Sequence, residues 1–220
     1  KETPAATPGQ GDLFGLFTPE TTSEPEKTNL ATLHTLNCNY QLVDNEEKLS
    51  QLLQNIVTQS VLSLDTETTS TDPIRAELVG MSFSYAENQA FYVPVPADRS
   101  EAQKIVDRFR PVFENREIMK VGQNIKYDML VLANYGVQLQ GPLFDTMVAH
   151  YVLQPELRHN MDYLAEIYLN YQTIHIEELI GPKGKNQGNM RDLPPASVYE
   201  YACEDADVTL KLKNKLEKEL

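Results

Sequence analysis

The sequence predicts an α/β fold, a mixed β-sheet flanked by α-helices, behind a disordered N-terminal linker. Three observations carry that expectation. Residues 1–35 are rich in Pro, Thr, Gly and Glu and show no sustained hydrophobic period, which is linker composition. From about residue 39, short segments of strand character are interspersed with amphipathic helical ones. Toward the C-terminus the helical pattern takes over, a succession that suits a mixed sheet covered by helices. The organisation expected is therefore a linker over 1–35 and one folded domain over 36–220, without internal repeats.

The elements follow in order. "YQLVD" reads as a strand, and "NEEKLSQLLQNIVTQ" (45–59) as an amphipathic helix with Asn45 at its N-cap. "SVLSLDTET" (60–68) reads as a buried strand. "ELVGMSFSYA" and "QAFYVPV" alternate like a hairpin pair with "ENQ" near the turn. "SEAQKIVDRFRPVFEN" (100–115) predicts a helix capped by Ser100, "IMKVGQN" a strand, and "YDMLVLANYG" a short helix closed by Gly136. "LFDTMVAHYVLQP" and "NMDYLAEIYLNY" both read as helical. "GPKGKNQGNMRDLPP" is a loop dense in Gly, Pro, Asn and Lys. In the last segment Val198, Tyr201, Asp205, Val208, Leu212 and Leu216 recur at helical spacing, predicting one buried face with a carboxylate in its middle.

Composition narrows the function. A net charge of −13 argues against a broad basic surface that wraps duplex nucleic acid. It leaves room for a small site for one strand end, with bound cations supplying positive charge. Two cysteines, Cys38 and Cys203, are too few for a disulfide framework, so a reducing cytoplasmic setting is expected. No run approaches a membrane helix and no secretory h-region opens the chain. The first residue is Lys and the last segment stops in mid-helix, so a piece of a larger protein is expected. The four histidines show no ligand spacing with one another and receive no role.

Chemistry concentrates in four acids. Strand alternation points Ser63, Asp65 and Glu67 to one side and Leu62, Leu64 and Thr66 to the other. Two carboxylates on one face of a buried strand raise each other's pKa unless a cation lies between them. Asn124 and Asp128 are four apart and share a helix face. Asp205, one turn from Tyr201, is an unpaired charge in an apolar stripe, costly unless neutralised. All-oxygen ligation suits Mg²⁺ or Mn²⁺ rather than structural zinc. Two such ions about 3.5–4 Å apart can clamp the attacking and leaving oxygens of a phosphodiester. Each piece alone has an ordinary reading: a turn acid, a salt-bridged helix Asp, a core tyrosine.

"DTET" (65–68), "NIKYD" (124–128) and "YACED" (201–205) together resemble the three exonuclease motifs of the 3′-to-5′ proofreading domain of bacterial DNA polymerase I, in the DEDDy exonuclease family. "ELVGMSFS", "FDTMVAHYVL", "MDYLAE", "GKNQ" and "EDADVTL" extend the likeness over roughly residues 39–220. The resemblance implies an RNase H-like sheet and removal of nucleoside monophosphates from a DNA 3′ end with two divalent ions. It implies that Asp65, Glu67 and Asp205 ligate the first ion and that Asp65 with Asp128 holds the second, Asp128 through water. It further implies that Tyr201, helped by Glu67, holds the attacking water. Glu200 stands where histidine-type relatives carry His, so the tyrosine subclass is indicated. Gln123 and Asn124 match positions near the terminal nucleotides, and Thr68 one beside the metal strand.

The chain departs from the family pattern at Thr71, where Leu is common, and near "GKNQ", where Met190 takes the place of an aromatic; both bear on base stacking. Lys126, Lys183, Lys185 and Arg191 are candidates for phosphate contact, the last three in a loop that reads either as solvated or as a mobile flap. "QGDLF" (10–14) is similar to the pentapeptide that docks bacterial replication proteins on the sliding clamp, with Gln10, Leu13 and Phe14 as anchors and Gly11 where Leu is usual. Expected partners are thus a single-stranded DNA 3′ end, a polymerase domain outside this chain and a sliding clamp. A monomer without membrane contact is expected. The alternatives are an RNase D-like RNA exonuclease and a catalytically silent scaffold.

Overall fold

A computed structural model of the protein describes residues 30–220, so the clamp-like segment with Gln10, Leu13 and Phe14 lies outside the described residues. The first part of the domain runs β1 (Asn39–Leu42), α1 (Glu46–Ile56), β2 (Val61–Thr68), β3 (Leu78–Ala86), β4 (Gln89–Pro94) and α2 (Arg99–Phe113). It continues with β5 (Met119–Gly122), α3 (Ile125–Ala133), β6 (Leu143–Asp145), α4 (Thr146–Leu153), α5 (Met161–Leu169) and α6 (Ile176–Ile180). A 3₁₀ turn at Met190–Asp192 leads into α7 (Pro195–Leu216). The strands form one mixed sheet in the order β1-β4-β3-β2-β5-β6, with β2, β3 and β4 antiparallel and the outer pairs parallel.

Strand alternation gives the sheet a buried layer on each face. Leu62, Leu64, Phe83 and Phe91 face α1 and α2, where Leu52, Ile56, Val106, Phe109 and Phe113 complete the larger core; Phe83 and Phe109 stack at 4.8 Å. On the opposite face lie Ser63, Ser82 and Ser84, all fully buried, small residues that let a helix approach closely. That helix is α7, which packs on the sheet on one side and on α4, α5 and α6 on the other. Gly80 opposes Glu67 on this face, and a Cβ there would meet the Tyr92 ring at 2.2 Å, so only glycine fits.

Several expectations change. α2 is capped by Asp98, whose carboxylate accepts from the amides of Ser100 and Glu101 at 2.9 and 3.0 Å, not by Ser100, whose hydroxyl also donates to Asp98. Residues 143–145 form edge strand β6 instead of starting a helix, because they pair with β5 and Asp145 caps α4. α6 forms in a stretch given no element, just before the Gly- and Lys-rich loop, and the 3₁₀ turn interrupts that loop. Ala31, in the segment read as linker, forms a parallel bridge with Tyr171. α7 is buried around its whole circumference from Ala202 to Leu210, since it lies between two layers. Its extra acids are satisfied: Glu204 accepts from the Tyr171 hydroxyl and the Ile174 amide, both at 2.6 Å. Asp207 accepts from Tyr40 and Lys211 at 2.7 Å and from the Asn88 amide at 2.8 Å. No described helix is long and apolar enough to cross a membrane.

Candidate active site

The site forms where the C-terminal end of β2 meets the middle of α7. Period-two alternation puts Asp65 and Glu67 on the α7 face, and a register shift between Glu67 and Thr68 breaks the regular pairing at the strand end. α7 brings Asp205 to them. One carboxylate oxygen from each of Asp65, Glu67 and Asp205 lies within 4.8 Å of the other two. Asp65 keeps some exposure, while Glu67, Asp128 and Asp205 are buried.

Asp128 stands apart from this trio. It sits in the first turn of α3, and the Thr66 hydroxyl donates to its Oδ1 at 2.6 Å. Its position is set by an unusual helix start: Asn124, the N-cap, is left-handed at φ 62°, ψ 44°. The Asp145 carboxylate accepts from the amides of Asn124 and Ile125 at 3.0 and 3.1 Å, and from the α4 amides of Met147 and Val148. One acid therefore closes two helix N-termini.

The electrostatics follow from crowding. Burial pushes the Asp65 carboxyl up to about 6. Burial raises Glu67 well above the carboxylate range, and the charges of Asp65 and Asp128 raise it further. Asp128 is raised by burial and by Asp65, and Asp205 by burial and then by Asp65 and Glu67. The Tyr201 phenol is raised by burial and then by the charges of Asp205, Glu67 and Asp65, so it remains a protonated donor. Glu67 Oε1 is buried without a hydrogen-bond partner among the described residues. An orphaned carboxylate oxygen beside two more carboxylates, all in an oxygen-only set, fits a hard divalent cation.

A cleft of about 570 Å³ opens over the acids, a size that admits a small ligand. Of the residues read from sequence, Asp65, Glu67, Thr68, Thr71, Asn124, Lys183, Met190, Tyr201 and Asp205 line it. Others turn elsewhere. Gln123 donates to His159 O at 2.7 Å and accepts from Thr146. Arg191 donates to Val95 O at 2.6 Å and to Leu78 O, so its guanidinium anchors the 3₁₀ turn to the sheet. Lys126 is exposed and donates to Asn124 Oδ1, and Lys185 is exposed outside the lining. Met190 is buried against Val79, Tyr92 and Val198 as well as facing the cleft.

Sequence reading missed Tyr127, whose hydroxyl lies 2.5 Å from Thr68 Oγ1 and donates to Ser70 O, fixing the strand end. It also missed Ile176, Ile180 and Gln187, which wall the cleft from α6 and the following loop. The apolar pair in "HIEELI" was the available signal for that helix.

An oxygen-only acid cluster in a cleft over the central strand of such a sheet defines a candidate hard-cation enzyme site. Among solved structures, RNase D from Trypanosoma brucei superposes with a TM-score of 0.66 at 22% identity, covering 82% of this chain and 65% of that one. The Brucella melitensis NrnC structure with bound Mg²⁺ gives 0.60 at 20% identity, covering 83% and 81%. At these identities the likeness is one of fold. A family model described as 3′-5′ exonuclease matches residues 40–220, and the chain belongs to that family. DNA polymerase I of Pseudomonas aeruginosa is 37% identical over 80% of this chain and 20% of its own length. The chain spans about a fifth of the length of the curated relatives it matches.

Proposed function

We propose that this domain hydrolyses phosphodiester bonds at DNA 3′ ends with two divalent ions, releasing nucleoside monophosphates as the editing part of a DNA polymerase. The observation that carries the reading is the meeting of Asp65, Glu67 and Asp205 within 4.8 Å beneath a cleft that Tyr201 also lines. Asp65, Glu67 and Asp205 would hold one ion, and Asp65 with Asp128 the other. Bound there, the ions would lower the pKa of a water and neutralise charge on the leaving 3′ oxygen. The protonated Tyr201 hydroxyl donates to the attacking water, and Glu67 accepts from it, fixing its orientation. Thr68, Asn124 and Lys183 on the cleft wall offer polar contacts to the terminal nucleotides. DNA as substrate is supported by the DNA polymerase I relatives.

A second reading, RNA trimming, is favoured by the fold shared with RNase D. Both are tested by incubating the protein with 5′-labelled single-stranded DNA or RNA of one sequence and Mg²⁺ or Mn²⁺. A DNA ladder shortening from the 3′ end, abolished by chelator, is expected. An equal or faster RNA ladder overturns the DNA assignment, and no ladder at any metal concentration leaves a scaffold role.

A further inference from the structure

We infer that Thr66 is a positioning residue for the proposed reaction, its hydroxyl holding Asp128 in the rotamer that completes the second cation site. Thr66 sits between Asp65 and Glu67 on β2, and its side chain points to the opposite face. It is 7% exposed and Asp128 2% exposed, so the 2.6 Å bond between them is largely shielded from competing water, although Thr66 borders the cleft. A hydroxyl has one proton to give, and here it goes to a carboxylate oxygen, a charge-assisted bond of the stronger kind.

The geometry explains why Asp128 needs such a holder. Asp65 and Glu67 share one strand face, and α7 brings Asp205 to them, with one oxygen of each within 4.8 Å of the other two. Asp128 comes from α3, outside that trio, and repulsion from Asp65 works against its approach. Thr66 engages Oδ1 from the β2 side, and the proposal assigns Oδ2 to the second cation site. Since the strand that carries Asp65 also carries Thr66, the acid pair is set by a single rigid element. Hydrophobic Val, equal in shape, is the natural occupant of a buried strand position. The hydroxyl is the functional difference.

This inference rests on the proposed function, and its test separates the two. Wild type, Thr66→Val, Thr66→Ser and Asp128→Asn are compared in two assays. In the first, nucleotide release from 5′-labelled single-stranded DNA is followed across a Mg²⁺ titration. In the second, free Mn²⁺ is counted by electron paramagnetic resonance as protein without DNA is titrated.

Thr66→Val should raise the Mg²⁺ concentration for half-maximal release by roughly tenfold, the loss of one charge-assisted hydrogen bond. It should weaken the second Mn²⁺ equivalent and leave the first in place, while Thr66→Ser stays near wild type. In the Asp128→Asn background, Thr66→Val should add nothing further. Should valine prevent folding, Thr66→Ala removes the same hydroxyl and is read in the same way. Unchanged metal dependence in Thr66→Val, or an equal loss in Thr66→Ser, overturns the positioning role. If no protein releases nucleotide, the exonuclease reading fails, and the Mn²⁺ count still decides whether Thr66 governs the Asp128 site.

Discussion

The Asp145 carboxylate accepts from the left-handed Asn124 amide at 3.0 Å while the same oxygen caps the next helix at Met147, 2.9 Å away. Two helix starts thus share one acceptor. Asp145→Ala strips both caps, each worth about 0.5–2 kcal/mol. A loss of about 1–4 kcal/mol is expected, or roughly 2–16 °C in melting temperature for a domain of this size. Because α3 carries Asp128, nucleotide release should fall together with stability. Asp145→Asn, which keeps one acceptor oxygen, should be intermediate. Circular dichroism melts alongside single-strand degradation check both.

Removing one acid should trade activity for stability. Asp205 is buried against Asp65 and Glu67, and in metal-free protein that crowding opposes folding. Asp205→Asn keeps the shape and removes the charge. Nucleotide release should drop by roughly a hundredfold or more, beyond what loss of an outer-shell group costs. Metal-free protein should meanwhile gain about 1–2 kcal/mol, or about 2–8 °C. Melts in chelator measure the gain, and an unchanged or lower melting temperature would contradict the crowding argument.

Much of this site is legible in sequence because its parts sit on regular elements. Asp65 and Glu67 are two apart on a strand and Tyr201 and Asp205 four apart on a helix, so period alone puts each pair on one face. What periodicity cannot convey is how many layers surround an element. Glu204 and Asp207 look like the solvent side of α7, yet both are buried: Glu204 under the segment between α5 and α6, and Asp207 against β1 and the β3–β4 turn. Their partners, Tyr171 and Tyr40, are distant in the chain. Arg191 misleads for a similar reason: a cation in a polar loop resembles a phosphate ligand, but its acceptors are sheet-end carbonyls of Val95 and Leu78. His150 and His159, nine residues apart, show no helical ligand spacing, but the turn between α4 and α5 brings their Nδ1 atoms to 2.7 Å.

The same crowding sets the pH dependence of stability. Asp65, Glu67, Asp128 and Asp205 have folded pKa values above those of an unfolded chain, about 4. Between those limits the folded state holds more protons, so stability falls as pH rises. His150, lowered by burial, contributes in the opposite direction near neutrality, but as one group against four. Metal-free protein should therefore melt at a lower temperature at pH 8 than at pH 5. Mg²⁺ should raise the melting temperature clearly at pH 8 and little at pH 5, where Asp65, at about 6, is mostly protonated. Asp205→Asn should show a shallower slope. Melts across pH 5–8 with chelator or Mg²⁺ provide the measurement.

Strand grip should depend on the loop over the cleft. Lys183 lines the cleft with its side chain 83% exposed and only a long 3.9 Å contact to Glu177, so its charge is free to meet phosphate. Lys185 is exposed two residues on. Each phosphate contact to a single strand contributes about 0.7 to the slope of log affinity against log salt. Lys183→Gln with Lys185→Gln should weaken binding of a short single-stranded DNA and flatten that slope by up to about 1.4. Lys183→Gln alone should give the larger share, since of the two only Lys183 lines the cleft. Fluorescence anisotropy at several salt concentrations, in Ca²⁺ to prevent cleavage, reads the slope. An unchanged slope would mean that the loop is solvated and that the cleft wall, through Asn124 and Thr68, holds the strand without it.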